Sequence, residues 1–65
     1  MTMTWYAIRS KEGGYLGVIQ EWRNVPADQA FLIRDKRQAY HKAKPGDTVV
    51  PVTITFHDDQ GEVFK

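Results

Sequence analysis

The sequence predicts an α+β domain: a small antiparallel sheet of three to five strands with one helix packed on one face, in the order β-β-β-α-β. Three observations predict it. Residues 4–9 (TWYAIR) and 48–56 (TVVPVTITF) are rich in β-formers and alternate along the chain. Between them, RDKRQAYHKAK at 34–44 carries its own start and stop signals for a helix. With 65 residues, the chain is one domain, 1–65, with a core that gives only ~3–5 kcal/mol of net stability.

The first strand places Thr4, Tyr6 and Ile8 on one face and Trp5, Ala7 and Arg9 on the other. The polar link SKEGG follows, with two glycines that can take positive φ. YLGVIQEW, 15–22, then returns as the second strand of a hairpin. In the consistent register Ile8 lies opposite Leu16, Tyr6 opposite Val18 and Thr4 opposite Gln20. The other face then pairs Trp5 with Ile19, Ala7 with Gly17 and Arg9 with Tyr15.

RNVPADQ, 23–29, is a connection in which Pro26 starts a turn or a one-turn helix. AFLIR, 30–34, suits a third short strand, the alternative being the first turns of a longer helix. The strand is preferred because Asp35 is a good N-cap. Asp35 and Gln38 have the spacing of a capping box. The helix is expected to run to about Ala43, with Ala39, Tyr40 and Ala43 toward the sheet. Pro45-Gly46 ends it, and Lys44–Asp47 reads as a type II turn. In 48–56, Val50, Val52, Ile54 and Phe56 point inward and Thr53 and Thr55 outward. Pro51 marks an edge or a bulge, because it has no N–H to donate. HDDQG is a loop, and Val63-Phe64 returns as a short fifth strand.

Charge is the strongest functional signal. The net +1 hides a balanced stretch at 1–33, a sum of +4 at 34–44 and a sum of −3 at 45–65. Arg37, His41 and Lys44 recur at i, i+4 and i+7 on the solvent side of the helix, with Lys42 alongside. Such a row can meet phosphates or an acidic protein surface. It is also what a solvated face of a small protein looks like, and the two readings weigh about equally. A second candidate lies on the sheet. One helix covers one face, which would leave Trp5, Tyr15 and Ile19 as an uncovered patch beside Arg9, of the kind found in protein contacts or base-stacking platforms. The alternative is that the tail or a second subunit covers it.

No catalytic, cofactor or metal pattern is present in the sequence. Gly13, Gly14 and Gly17 belong to turn chemistry, not to a nucleotide-binding loop. Asp58, Asp59 and Glu62 lack EF-hand spacing, and His57 beside them has no paired nucleophile. The absence of cysteine removes disulfides and thiolate metal sites and fits a cytoplasmic protein. No apolar run is long enough to span a membrane or to serve as a signal peptide. These features leave a non-enzymatic protein without a cofactor, as a monomer or a small homo-oligomer.

In size, lack of cysteine and the order of hairpin, DKRQA-type helix and PGDTVV strand, the full chain resembles the very short accessory proteins of phages and prophages, including anti-CRISPR proteins. The resemblance carries no functional residue across. It implies a host-cell cytoplasmic inhibitor that occupies the surface of a protein or nucleoprotein complex, such as a nucleic-acid-guided effector. A nucleic-acid-binding module using the basic helix 35–44 and a structural or oligomeric accessory protein are the alternative functions. The site residues expected for partner binding are Arg34, Lys36, Arg37, His41, Lys42 and Lys44 on the helix and Trp5, Arg9 and Tyr15 on the sheet.

Overall fold

The computed structural model describes residues 1–19 and 23–64. Its elements are strand β1 (Thr2–Arg9), a 3-10 turn (Ala27–Gln29), helix α1 (Lys36–Lys42), strand β2 (Thr48–Thr55) and a second 3-10 turn (Asp58–Gln60). The strands pair antiparallel from Thr2 opposite Thr55 to Arg9 opposite Thr48. The arrangement is α+β, but the expected sheet of three to five strands is not formed: among the described residues it has two.

The reason lies on the second edge of β1, where several short segments compete. Arg9 bridges Tyr15, and the Leu16 N–H donates to the Ile8 carbonyl at 2.8 Å, so the hairpin closes in the expected register. It goes no further. Tyr6 exchanges both backbone hydrogen bonds with Ile33, and Gly17 bridges Ala30, not Ala7. The 30–34 segment therefore occupies the edge that the second hairpin strand was expected to extend along. Each segment contributes isolated bridges instead of a strand. The Thr4–Gln20 pair falls outside the described residues. Val63 and Phe64, expected as a last strand, are exposed and join no ladder among the described residues.

Local chemistry explains the turns. Gly13 has φ +101°, within a turn closed by the Ser10 N–H bonding to the Gly14 carbonyl at 2.7 Å. Gly14 is needed for a different reason: a Cβ there would lie 2.7 Å from the Asn24 backbone. Asp35 caps α1 by accepting the Arg37 N–H at 2.9 Å, one residue earlier than the capping box requires. Ala43 is the C-cap, and Gly46 has φ +92° at the third position of the Lys44–Asp47 turn.

The buried apolar residues are Ala7, Ile8, Leu16, Ile33 and Ala39. Ile8, Leu16, Ile33 and Ala39 form one cluster, against which Tyr6, Phe31, Ala43 and Val49 pack. The helix thus covers the β1 face that carries Tyr6 and Ile8, and Ala39, 0% exposed, sets its close approach. Tyr40, expected to join that contact, is 58% exposed instead. A helix this short presents a narrow inner stripe, and Ala39 and Ala43, four apart, fill it. The accessible surface of 5204 Å² exceeds the ~4,200 Å² of a compact monomer of this mass. The radius of gyration, 13.8 Å, likewise exceeds the ~11 Å expected for 65 residues. Residues 56–64, past β2, are all exposed, and the longest dimension is 44 Å.

Candidate functional site

The two groups of candidate residues lie on opposite faces of β1. On the helix side, Lys36, Arg37, His41 and Lys44 are exposed, and Lys42 is half-buried. Asp35, the one acidic residue in 34–44, is occupied with the cap. Arg34 is exposed but directed: its guanidinium donates to the Thr4 carbonyl, which fixes the start of α1 to β1. Lys44 is held through its backbone, its N–H donating to the Asp47 carboxylate at 2.9 Å. Asp47 also pairs with Arg23, with the carboxylate side chain only 7% exposed. This polar corner, walled by Ser10, Lys11, Glu12 and Pro45, encloses about 270 Å³. Tyr40 lies within the basic surface, three positions after Arg37 on α1; the expected row Arg37, His41, Lys44 ends at His41, because Ala43 is an extended C-cap and puts Lys44 past the helix. The sequence reading missed Tyr40 because two alanines and a tyrosine at helical spacing look like one apolar stripe.

The second face differs from expectation. Arg9 and Tyr15 do share it, as the bridge between them requires, and Arg9 is exposed. Trp5 and Tyr15 are only half-buried, however, and Ala7 between them is buried. The connection 27–32 lies over this face, so the aromatic patch is largely covered. What remains is an apolar hollow of about 340 Å³. Its floor is Ala7, Val50 and Val52, and its walls include Tyr15, Ala30 and Leu32, with Asp28 as the charged member. The small side chains at 7, 27 and 30 leave the space, and that was the available signal. The Trp5 indole N–H, opposite Val52 in the register, is buried without a hydrogen-bond partner among the described residues. An unpaired donor of this kind costs about 1–3 kcal/mol. Ile19 remains half-exposed.

Among the described residues, no group of three His, Asp or Glu could hold a metal ion, and no helix is long and apolar enough to cross a membrane. His57 is exposed beside Asp58 and Asp59, with no nucleophile bonded to it among the described residues. The arrangement can offer a rigidly anchored cationic helix on one side and an apolar hollow on the other. Comparison of the chain with protein-family models, with curated proteins and with solved structures finds no match.

Proposed function

We propose that this chain is a non-enzymatic binding protein that lays the outer face of α1 on an acidic surface of a partner protein. The more specific reading is a phage-type inhibitor, acting by occupancy on a nucleic-acid-handling complex. The single observation that carries the proposal is the basic surface itself: Lys36, Arg37 and His41 are exposed on one short helix whose position is fixed by Ala39 and by Arg34, and Lys44 is exposed just past its C-cap. A cationic surface on a rigid element steers association and fixes the register of a partner. The aromatic side of the sheet supports the reading less, since the connection 27–32 covers much of it.

Direct nucleic-acid binding is the second reading, favoured by one observation, the exposed Tyr40 ring among the cations. A flat aromatic beside basic side chains can stack on an unpaired base. The test is capture of proteins from the host lysate on immobilised wild-type chain, beside an Arg37→Glu/Lys44→Glu variant and a Trp5→Ala variant. Loss of a captured protein with the first variant alone is the expected result; equal retention by all three would refute the helix surface. Labelled single-stranded DNA, titrated at several salt concentrations, separates the two readings. Phosphate contacts weaken as a steep power of salt, about one order of slope per neutralised phosphate.

A further inference from the structure

The molecule carries two largely exposed segments of opposite charge. Residues 34–44 sum to +4, and residues 57–65, with Asp58, Asp59 and Glu62 against Lys65, sum to −2. The positive surface is the outer side of α1 around Tyr40. The negative one is the C-terminal run, in which Asp58, Asp59 and Glu62 precede Val63 and Phe64. Val63 is 84% exposed and Phe64 99% exposed. An aromatic left that bare at the end of an acidic segment is the kind of side chain that contacts bury.

The two segments leave the sheet as separate parts of the chain. The Phe56 N–H still bonds to the Met1 carbonyl, so the tail leaves from the Met1 end of the sheet. Helix α1 begins near Thr4, where Arg34 is anchored, and runs toward the opposite end. There a Cβ on Gly46, two residues past Lys44, would touch the Lys11 side chain at 3.4 Å. The tail thus leaves the sheet at the end where α1 begins, while Lys44 lies toward the other end.

We propose that residues 57–64 of one copy dock on the basic outer face of α1 of a second copy, reciprocally, giving a two-fold dimer. Charge complementarity commits the occupant: the tail supplies three carboxylates, and the helix face supplies Lys36 and Arg37, with Lys44 just past the C-cap, to receive them. Phe64 and Tyr40 supply the apolar part of the same contact. In a two-fold pair each chain donates a tail and receives one, so the contact forms twice and the assembly closes without recruiting further copies. The small core gives such a pairing a structural use, since domains of this size often share stability with a second chain. The dimer would also cover the helix surface used for partner binding, so self-association and partner capture compete. The proposal stands on the charge distribution and not on that partner.

The test is sedimentation velocity of the full chain from about 10 μM to about 1 mM, a range that resolves weak dimers, in about 0.05 M and about 1 M salt. At low salt the mass should rise toward that of two chains with concentration, and high salt should weaken the association at least about tenfold. A tail-reversed variant (Asp58→Lys, Asp59→Lys, Glu62→Lys) and a helix-reversed variant (Lys36→Glu, Arg37→Glu, Lys44→Glu) should each be monomeric. In the first both surfaces are positive, and in the second both are negative. Their equimolar mixture should therefore form a heterodimer. Phe64→Ala, at a fully exposed position, should weaken the wild-type dimer and keeps the test open if a reversed helix fails to fold. A monomer at every concentration, a dimer indifferent to the reversals, or a mixture that does not associate would overturn the proposal. So would a tail that protects its own helix independently of concentration. If dimerisation fails while partner capture succeeds, only this proposal falls.

Discussion

Tyr6 and Pro51 face each other across the two strands without a hydrogen bond between them, because Tyr6 spends both backbone groups on Ile33, at 2.8 Å each way. Bonded and non-bonded pairs alternate in an antiparallel ladder, so the missing N–H of Pro51 falls on the outer side of β2. The proline costs the β1–β2 ladder nothing. It does interrupt the free edge, where Val49, Thr53 and Thr55 also direct their backbone groups outward, and an interrupted edge is a poor template for another strand.

Pro51→Thr should therefore leave thermal stability within about 1 kcal/mol of wild type while speeding aggregation at high concentration. Light scattering during prolonged incubation would show it. A variant that melts normally and scatters no more than wild type would mean that something other than Pro51 protects the edge.

The pairing with Ile33 bears on stability as well. Ile33 joins Ile8, Leu16 and Ala39 in the buried cluster. Truncating it to alanine should cost about 2–4 kcal/mol through lost burial and a residual cavity. That is most of the ~3–5 kcal/mol such a core provides, so urea titration should find Ile33→Ala largely unfolded. Thr53→Ala, at an exposed position of β2 outside the buried cluster, should shift the midpoint by no more than about 0.5 kcal/mol. Comparable losses at both sites would contradict the register.

Helix α1 makes a three-way comparison possible. Asp35→Ala removes the bond to the Arg37 N–H and should cost about 1 kcal/mol. Ala39→Leu forces a larger side chain into the closest contact between helix and sheet, for about 1–3 kcal/mol. Tyr40→Ala should be within about 0.5 kcal/mol of wild type, because the ring is already in solvent. Thermal melts that rank Tyr40→Ala beside Ala39→Leu would mean that the helix is rotated toward the tyrosine.

The parts of the fold legible in the sequence are those written in local chemistry. The aspartate cap and the Pro45-Gly46 stop bounded α1 to within a residue of its observed end, and the alternation at 48–56 marked β2. The Arg9–Tyr15 closure followed from the glycine turn. What the sequence did not disclose was the competition for the outer edge of β1. Tyr6 chooses Ile33, twenty-seven positions away, over Val18, twelve positions away, and no local propensity encodes that choice. The candidate site divided along the same line. The helix charges were readable because their spacing and a cap fixed the helix. The state of the Trp5–Tyr15 face depended on where the connection 27–32 packs, a tertiary matter.

The last prediction concerns Asp47, which ties the turn after α1 to the connection at Arg23. Its carboxylate accepts from the Arg23 guanidinium and from the Lys44 N–H. The two partners are unequally buried, with side chains 7% exposed for Asp47 and 28% for Arg23. Removing the arginine strands the less hydrated charge, whereas removing the carboxylate lets Arg23 return to water. Arg23→Ala should accordingly be the costlier single change with respect to the pair. Asp47→Asn keeps an acceptor for the Lys44 N–H and deletes only the charge, so it isolates the ion pair from the turn. A double-mutant cycle on Arg23→Ala and Asp47→Asn, read by urea denaturation, should give a coupling of about 1 kcal/mol, above the few tenths typical of fully exposed pairs. High salt should reduce it only in part, because the carboxylate is shielded from counterions. A coupling near zero would place the pair among solvent-screened surface contacts and leave the Lys44 N–H as the bond that holds the turn.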